Sequence, residues 1–359
     1  MLHLLTTSDT TDTTESSEVM AAPTASDQVR TLLLHAGPYT SVYLATRPMM
    51  RHAGDDLARR WAALKIDLES VGSPPAALAA IEARLLQPMP EDTAAIAVIA
   101  AADGASIIDH ALEPPRRDFG TVETLPYLAP LFEWEQRRIP HVTVSAVPGG
   151  ADVVTFTGDL AADLTTISGP SDVIAAEVSR QAAGVGARVI VVGGHDGADD
   201  LTKAIRLAAE PTIRVEHEAG TVDEFAEATV RHVADAGARD TVGWLRELRF
   251  ERAHDDLIDG TADVVDAIGN GEVGTLLIHD DPDDHRRVWI GPAATSLSIE
   301  PDPLLTRDAR LVDAAICATV INGGTVHIVP STGPNGPEDD AALVRRRHPS
   351  TQSNAADVA

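Results

Sequence analysis

Short apolar strand patterns alternate with helical patterns in three successive blocks of this sequence, and this alternation limits the chain to an α/β architecture of several domains. Residues 94–102 and 188–192 are apolar almost throughout, whereas Trp61, Leu64 and Leu68 lie on one face of a helical pattern. Apolar strands between helices are typical of a sheet covered on both faces. The 359 residues exceed the usual size of one domain, so we expect two or three.

The first block, residues 28–138, is predicted to be an N-terminal α/β domain. Helical periodicity indicates helices over 29–35, 57–69 and 74–86, and a strand is expected over 40–45. Two further strands in 94–109 would form a hairpin, because Asp103 and Gly104 between them are typical hairpin turn residues.

The second block, residues 139–253, opens with a clear hairpin pattern, in which strands over 141–147 and 152–156 are separated by a Pro-Gly-Gly turn. Strands over 188–192 and 212–215 then alternate with helices over 171–183 and 198–209. This order predicts a partly parallel, mixed sheet. A long helical region follows from Val222, and we expect Gly237 to break it.

The third block, residues 254–345, is predicted to be a small α/β domain. Its pattern indicates helices over 260–268 and 309–318 and strands over 274–278, 288–290 and 325–329. Residues beyond Pro330 are expected to trail off, with 346–359 as a flexible tail. Residues 1–27 are rich in Thr, Ser and acidic residues, and we predict that they form a disordered leader.

Acidic residues dominate the chain, but they are unevenly distributed. The net charge is −27, the opposite of the basic footprint usual in nucleic-acid-binding proteins, and we predict no DNA contact. Residues 28–138 hold 11 basic and 14 acidic residues, whereas 254–330 hold 4 and 14. A polyanion would therefore be met by the first block, and 254–330 is better suited to a protein partner.

Cysteine content and hydropathy indicate a cytoplasmic protein. The single cysteine, Cys317, excludes an internal disulfide, and its apolar surroundings predict a buried, unreactive thiol. The longest apolar run, at 94–102, is far shorter than the roughly 20 residues that a transmembrane helix needs. The first 27 residues contain no Lys or Arg, unlike a secretory signal.

One segment resembles a nucleotide-binding turn. Gly193, Gly194 and Gly197 follow an apolar strand and precede a helix, where free backbone amides can hold a phosphate. Glu216 follows at the distance at which a dinucleotide fold places its ribose-binding acid. The spacing departs from the Gly-x-Gly-x-x-Gly order, however, so a tight strand-to-helix turn is the favoured interpretation.

No local motif assigns a catalytic residue, a cofactor or a metal. The segment 279–285 holds two histidines and four aspartates, but an acidic solvated loop explains it better than a metal site. Motifs for a serine hydrolase, a zinc protease and a phosphate-binding loop are absent from the sequence. Arg116, Arg117, Arg137 and Arg138 form two basic pairs suited to RNA phosphates; pairing with neighbouring acids is the alternative.

Several longer phrases carry a family resemblance. They are VRTLLLHAGPYTSVY at 29–43, LPYLAPLFEWEQRR at 125–138, GADVV at 150–154, FERAHDDLIDG at 250–260, VVDAI at 264–268 and GTLLI at 274–278. Together they resemble the bacterial branch of the archaeo-eukaryotic release factor superfamily, which includes release factors, Pelota and the hibernation factor Balon. The resemblance extends over about residues 28–345.

The resemblance implies an N-terminal domain facing the ribosomal decoding centre, a central RNase H-like domain facing the peptidyl transferase centre and a third domain that binds proteins. It also implies a position for the Gly-Gly-Gln loop with which release factors hydrolyse peptidyl-tRNA. The matching stretch, 157–171, contains no Gly-Gly, no Gln and no basic residue, and no Gly-Gly elsewhere is followed by Gln. We therefore expect no hydrolysis, and Asp159 and Asp163 would repel RNA phosphates.

These observations lead to one hypothesis and two alternatives. The hypothesis is a release-factor-like, non-enzymatic translation protein that binds the ribosomal A site in rescue, stress or hibernation. One alternative is a nucleotide-dependent enzyme that uses the 193–197 turn. The other is an acidic adaptor that binds a protein through 254–330 and never meets RNA.

Overall fold

The computed structural model describes residues 24–46, 53–90, 93–111, 115, 117–158, 162–194, 197–252, 257–280, 284–292, 294–329 and 341–344. Within these residues the chain forms four sheets and the helices that cover them. We refer to the N-terminal unit, the central unit and the C-terminal unit for the parts of the described chain before Ile139, from Ile139 to Arg252, and from Leu257 onward.

The N-terminal unit is a four-stranded antiparallel sheet in the order β3-β2-β1-β4. Two helices pack on one face and two on the other. Its elements are α1 (Ala25–Leu32), β1 (Tyr39–Ala45), α2 (Ala53–Ser70), α3 (Pro75–Leu85), β2 (Ala95–Ala100), β3 (Ser106–Ala111), β4 (Phe119–Glu123) and α4 (Ala129–Arg137).

The central unit is a five-stranded mixed sheet in the order β7-β6-β5-β8-β9. Strands β5, β6 and β7 pair antiparallel, and β5, β8 and β9 pair parallel. Helices α5 and α6 cover one face, and α7 covers the other. Its elements are β5 (His141–Val147), β6 (Gly150–Phe156), β7 (Ala162–Ser168), α5 (Ser171–Gly184), β8 (Val189–Gly194), α6 (Ala198–Ala208), β9 (Arg214–His217) and α7 (Val222–Arg252).

The C-terminal unit combines a sheet in the order β10-β16-β11-β15 with a small sheet in the order β13-β12-β14. Strands β11 and β15 are parallel, and the other pairs are antiparallel. Its elements are β10 (Leu257–Asp259), α8 (Thr261–Gly269), β11 (Val273–His279), β12 (Arg287–Ile290), β13 (Leu297–Ser298), β14 (Arg307–Arg310), α9 (Leu311–Ile321), β15 (Thr325–Val329) and β16 (Ala341–Val344).

One apolar core joins the N-terminal and C-terminal units. Val29 of α1 and Leu131 of α4 are buried in the same cluster as Ile316 and Val320 of α9. Every residue of α9 from Leu311 to Val320 is buried, which is expected of a helix that has packed neighbours on all sides. The two units thus share α9 as a common core element.

The predicted α/β class and the mixed central sheet are confirmed. The hairpins at 95–111 and 141–156 form as predicted, because apolar alternation and turn residues agree at both places. The domain ranges 28–138, 139–253 and 254–345 stay predictions, although each sheet lies inside one of them.

Three expectations about the ends and breaks of elements are wrong within the described residues. Helix α7 continues through Gly237, since a helical glycine costs only about 1 kcal/mol and here lets the helix approach Ile139 closely. Helix α1 begins at Ala25, inside the predicted leader, where Thr24 and Asp27 form a capping box. Strand β16 lies beyond Pro330 and pairs with both β10 and β11. Residues 1–23 and 345–359 lie outside the described part.

Sequence patterns also missed the edge strand β7. Most of its residues are exposed, so it lacks the apolar alternation that identifies a half-buried strand. A separate result concerns membranes: among the described residues, no helix combines the length and apolar character needed to cross a bilayer.

Glycine at position 193 is required by packing, which gives a first prediction. A Cβ at Gly193 would stand 2.3 Å from the Phe225 ring, so Gly193→Ala should lower the free energy of unfolding by about 1–3 kcal/mol through overpacking. The matched control is Gly184→Ala, because nothing lies within 4 Å of that Cβ position. Chemical denaturation measures both.

The cause of this loss can be tested with a double variant. If the Phe225 ring is responsible, adding Gly193→Ala to Phe225→Ala should cost much less than Gly193→Ala alone. Additive losses would show that the ring contact does not explain the glycine.

Candidate functional site

A large cleft lies where the three units meet. Its volume is about 1430 Å³. The N-terminal unit contributes β4 and α4, the central unit contributes α7 and the ends of β5 and β6, and the C-terminal unit contributes residues around β12, β14 and β15. Ligand sites occur preferentially at such domain junctions, and this cleft is therefore the candidate functional site.

Hydrogen bonds from α4 and the turn before it attach the N-terminal wall to the C-terminal wall. The Leu128 backbone N–H donates to Asp313 Oδ1 at 3.0 Å. The Gln136 side chain donates to the Ile328 carbonyl at 3.3 Å and accepts from the Ile328 N–H at 2.7 Å. These contacts fix α4 against α9 and β15.

A buried ion cluster lies beside the contact between α4 and α9. Arg310 donates to Asp280 at 2.7 Å, lies 3.6 Å from Asp313, and places its guanidinium 4.6 Å from the centre of the Tyr127 ring. Asp313 Oδ2 has no hydrogen-bond partner in the described part of the chain. A buried pair of this kind stabilises little by itself, but removing one member leaves an uncompensated charge.

Burial sets the protonation of this cluster. It raises the pKa of Asp313 to about 7, with the Arg310 charge opposing the shift and Asp280 adding to it. Burial alone would lower the pKa of Arg310, but the Asp313 and Asp280 carboxylates raise it above its ordinary value. Arg310 therefore stays charged, whereas Asp313 titrates near neutral pH.

Among the described residues that line the cleft, four are acidic, and each of them is paired with one of five arginines. The lining pairs are Arg137 with Glu133 at 2.6 Å, Arg286 with Asp284 at 2.7 Å, Arg287 with Glu123 at 3.2 Å, and Arg310 with Asp280. The fifth arginine, Arg117, is exposed, and the described residues give it no ion pair.

The four arginines predicted to contact RNA have different environments. Arg117 and Arg137 both line the cleft. Arg138 instead points its guanidinium at Asp109, at 2.6 Å, and at the carbonyl of His110, and its side chain is only 20% exposed. Arg116 lies outside the described residues. The structure thus places two of the four at the cleft.

Close packing and backbone conformation explain the glycines in the 193–197 turn. Gly193 faces the Phe225 ring, and a Cβ at Gly194 would stand 2.6 Å from the Ala146 carbonyl oxygen. Gly197 has a φ of 103° and is the N-cap of α6, a conformation that favours glycine. Residues 195 and 196 lie outside the described chain.

The segment 279–285 shows no metal geometry in its described part. His279 Nδ1 lies 3.1 Å from the Val329 carbonyl oxygen, and His285 is exposed at the cleft. No group of three or more potential ligands occurs among the residues that the structure describes. Residues 281–283 are outside that set.

Sequence reasoning missed Tyr127, Gln136, Arg310 and Asp313. Arg310 and Asp313 are three residues apart where a helix begins, a spacing that puts them on one face, but this spacing is common on surfaces. Their importance depends on Leu128 and Tyr127, which come from another unit, and single-chain periodicity carries no signal for that contact.

Comparisons with known proteins give structural similarity without a family assignment. No protein-family model matches the sequence, and no curated protein matches it. In structure, the chain is similar to an archaeal translation termination factor, with 15% identity, a TM-score of 0.24, and 89% of this chain and 97% of that chain covered.

Two further similar structures are Dom34 and Pelota. Dom34 from S. cerevisiae, a translation termination-like factor of RNA quality control that interacts with Hbs1, has 12% identity and a TM-score of 0.41, with 71% of this chain and 80% of that chain covered. Archaeal Pelota from a ribosome-bound complex with ABCE1 has 14% identity and a TM-score of 0.41, with 91% and 96% covered.

The raised pKa of Asp313 predicts a pH dependence of stability. A carboxyl whose pKa is higher folded than unfolded binds protons more tightly when folded, so its contribution to stability is complete below pH 4 and is lost as pH rises through about 7. One such group lowers the free energy of unfolding by up to about 1.4 kcal/mol per pH unit in this window.

Asp313→Asn tests this dependence, because the amide oxygen can still accept from Leu128 N–H. We expect denaturation midpoints of the variant to change less than those of the unmodified protein between pH 5.5 and 8. Asp284→Asn is the control, because the Arg286 hydrogen bonds lower the pKa of Asp284 against the opposing effect of burial. Equal pH profiles for the unmodified protein and Asp313→Asn would refute the assignment.

Proposed function

We propose that this protein is a release-factor-like translation protein that associates with the ribosome and does not hydrolyse peptidyl-tRNA. The observation that supports this proposal is the sequence resemblance over about residues 28–345, combined with the absence of Gly-Gly-Gln. We further propose that it binds the ribosomal A site in rescue, stress or hibernation.

The arrangement of the described units supports this proposal. The resemblance implies three consecutive domains, and each of the three units here has its own sheet. The central unit has a mixed sheet with helices on both faces, which agrees with the implied RNase H-like domain. A scaffold of this organisation can present different surfaces to distant ribosomal sites.

The stretch that corresponds to the hydrolytic loop supports the non-hydrolytic part. In its described part, β7 pairs along its full length with β6, and only Gly169 and Pro170 separate β7 from α5. Between β7 and α5, this two-residue connection offers little room for a protruding loop. Hydrolysis would also need a group that positions water, and this stretch supplies neither Gln nor His.

Electrostatics favour the N-terminal unit for RNA contact. Arg117 is exposed, and the Arg137 side chain is 54% exposed beside its Glu133 partner. A phosphate can replace an exposed carboxylate partner at small cost, because surface ion pairs contribute only about 0–1 kcal/mol. We propose the strongly acidic segment 254–330 as the surface for a protein partner.

Co-sedimentation with 70S ribosomes tests the association. We expect binding at low salt, and Arg117→Ala with Arg137→Ala should weaken it and reduce the slope of log affinity against log salt by about 1 for each lost phosphate contact. Arg180→Ala with Arg214→Ala removes the same charge from exposed sites outside the cleft and should leave the slope unchanged. Absence from every ribosomal fraction, stressed cells included, would contradict the proposal.

A peptidyl-tRNA hydrolysis assay tests the catalytic part separately. Programmed ribosomes carrying a labelled nascent chain should release nothing above background when the purified protein is added, whereas a factor with the Gly-Gly-Gln motif releases the chain. Release by the unmodified protein would refute the non-hydrolytic proposal and leave ribosome association standing.

A further inference from the structure

Arginines are concentrated in the cleft of this strongly acidic chain. Among the described residues, five arginines and four acidic residues line it, on a protein of net charge −27. Each of these four acids is paired with one of the other four arginines, and Arg117 is exposed and has no ion pair among the described residues. An exposed guanidinium on a concave surface favours an anion that accepts forked hydrogen bonds, and phosphate has that geometry.

Aromatic residues are concentrated in the same place. The whole chain has five Phe, four Trp and three Tyr, and five of these rings line the cleft: Phe119, Tyr127, Trp134, Phe156 and Trp244. All but Trp134 are half-buried. One face of each half-buried ring is already in contact with another group: Phe119 stacks on Tyr43, Phe156 on His141 and Trp244 on His327, and Arg310 lies over Tyr127. A nucleobase would stack on the opposite face.

We propose that the cleft binds a nucleoside phosphate, either free or as the phosphorylated end of an RNA strand, with the phosphate at Arg117 and the base against the cleft's aromatic rings. The volume of about 1430 Å³ exceeds the roughly 300–1,000 Å³ of a typical small-molecule site, so a mononucleotide or a short strand end can enter. This site is separate from the 193–197 turn, and the proposal does not depend on ribosome binding.

The position of the cleft implies that all three units contribute to binding. Arg117 belongs to the N-terminal unit, Phe156 and Trp244 belong to the central unit, and His285 and Arg286 belong to the C-terminal unit. A ligand that contacts all three would hold them in one arrangement. Bound nucleotide should therefore raise the Tm, because it stabilises only the folded state.

Isothermal titration calorimetry on the purified full chain, without ribosomes, provides the test. The probes are AMP, a 5′-phosphorylated tetra-adenylate, adenosine and inorganic phosphate. We expect AMP to bind at least about tenfold more tightly than adenosine or phosphate, since each of those lacks half of the recognised chemistry. Binding by tetra-adenylate without binding by AMP would assign the site to an RNA end.

Variants locate the binding. Arg117→Ala should lower the affinity for the nucleotide probe by about tenfold, the loss expected for one charge-assisted contact. Arg180 is another exposed arginine and lies outside the cleft, so Arg180→Ala should leave the affinity unchanged. Arg117 is exposed, so its removal should not alter the Tm of the free protein. The proposal is overturned if neither nucleotide binds at millimolar concentration, if phosphate binds as tightly as AMP, or if the two variants behave alike.

Discussion

The contact between α4 and α9 determines how the rest of the molecule is arranged. Helix α9 is buried from Leu311 to Val320. This burial requires the N-terminal unit, because α1 and α4 of that unit cover part of the helix. The Leu128 N–H bond to Asp313 fixes the angle of this contact at its polar edge. Together with the two Gln136 hydrogen bonds to Ile328, it holds the two walls of the cleft against each other.

The long helix α7 connects this joined pair to the central sheet. Its N-terminal half packs on β8 through Phe225 and Val233, and Trp244 in its C-terminal half stacks on His327 with ring centres 3.8 Å apart. Burial lowers the pKa of His327 to about 4, so the stacked ring is neutral at physiological pH. Because α7 is continuous, the central unit and the C-terminal unit are held at a distance set by helix geometry.

Strands and hairpins could be predicted from the sequence because their signals are local. The hairpin at 141–156 combines apolar alternation with a Pro-Gly-Gly turn, and the order of strands and helices from Ser171 to His217 specifies parallel pairing. The cleft could not be predicted. The residues that line it range from Pro115 to Val329 in the sequence. The placement of Arg117, Arg137 and their neighbours depends on how three units pack, which periodicity does not encode. Strand β16 could not be predicted for the same reason, because its partners β10 and β11 are far away in the sequence.

The unequal charge distribution affects how a nucleic acid would reach the cleft. At a distance, a phosphate chain meets the repulsive field of a protein with net charge −27, whereas within the cleft it meets the exposed guanidinium of Arg117. Salt screens the distant repulsion first, because the Debye length is about 10 Å at 0.1 M and a cleft contact is shorter than that. Association should then depend on salt less steeply than for a basic protein with the same number of phosphate contacts. Acidic character is therefore compatible with RNA contact, provided that the contact is confined to a concave site with its own local charge.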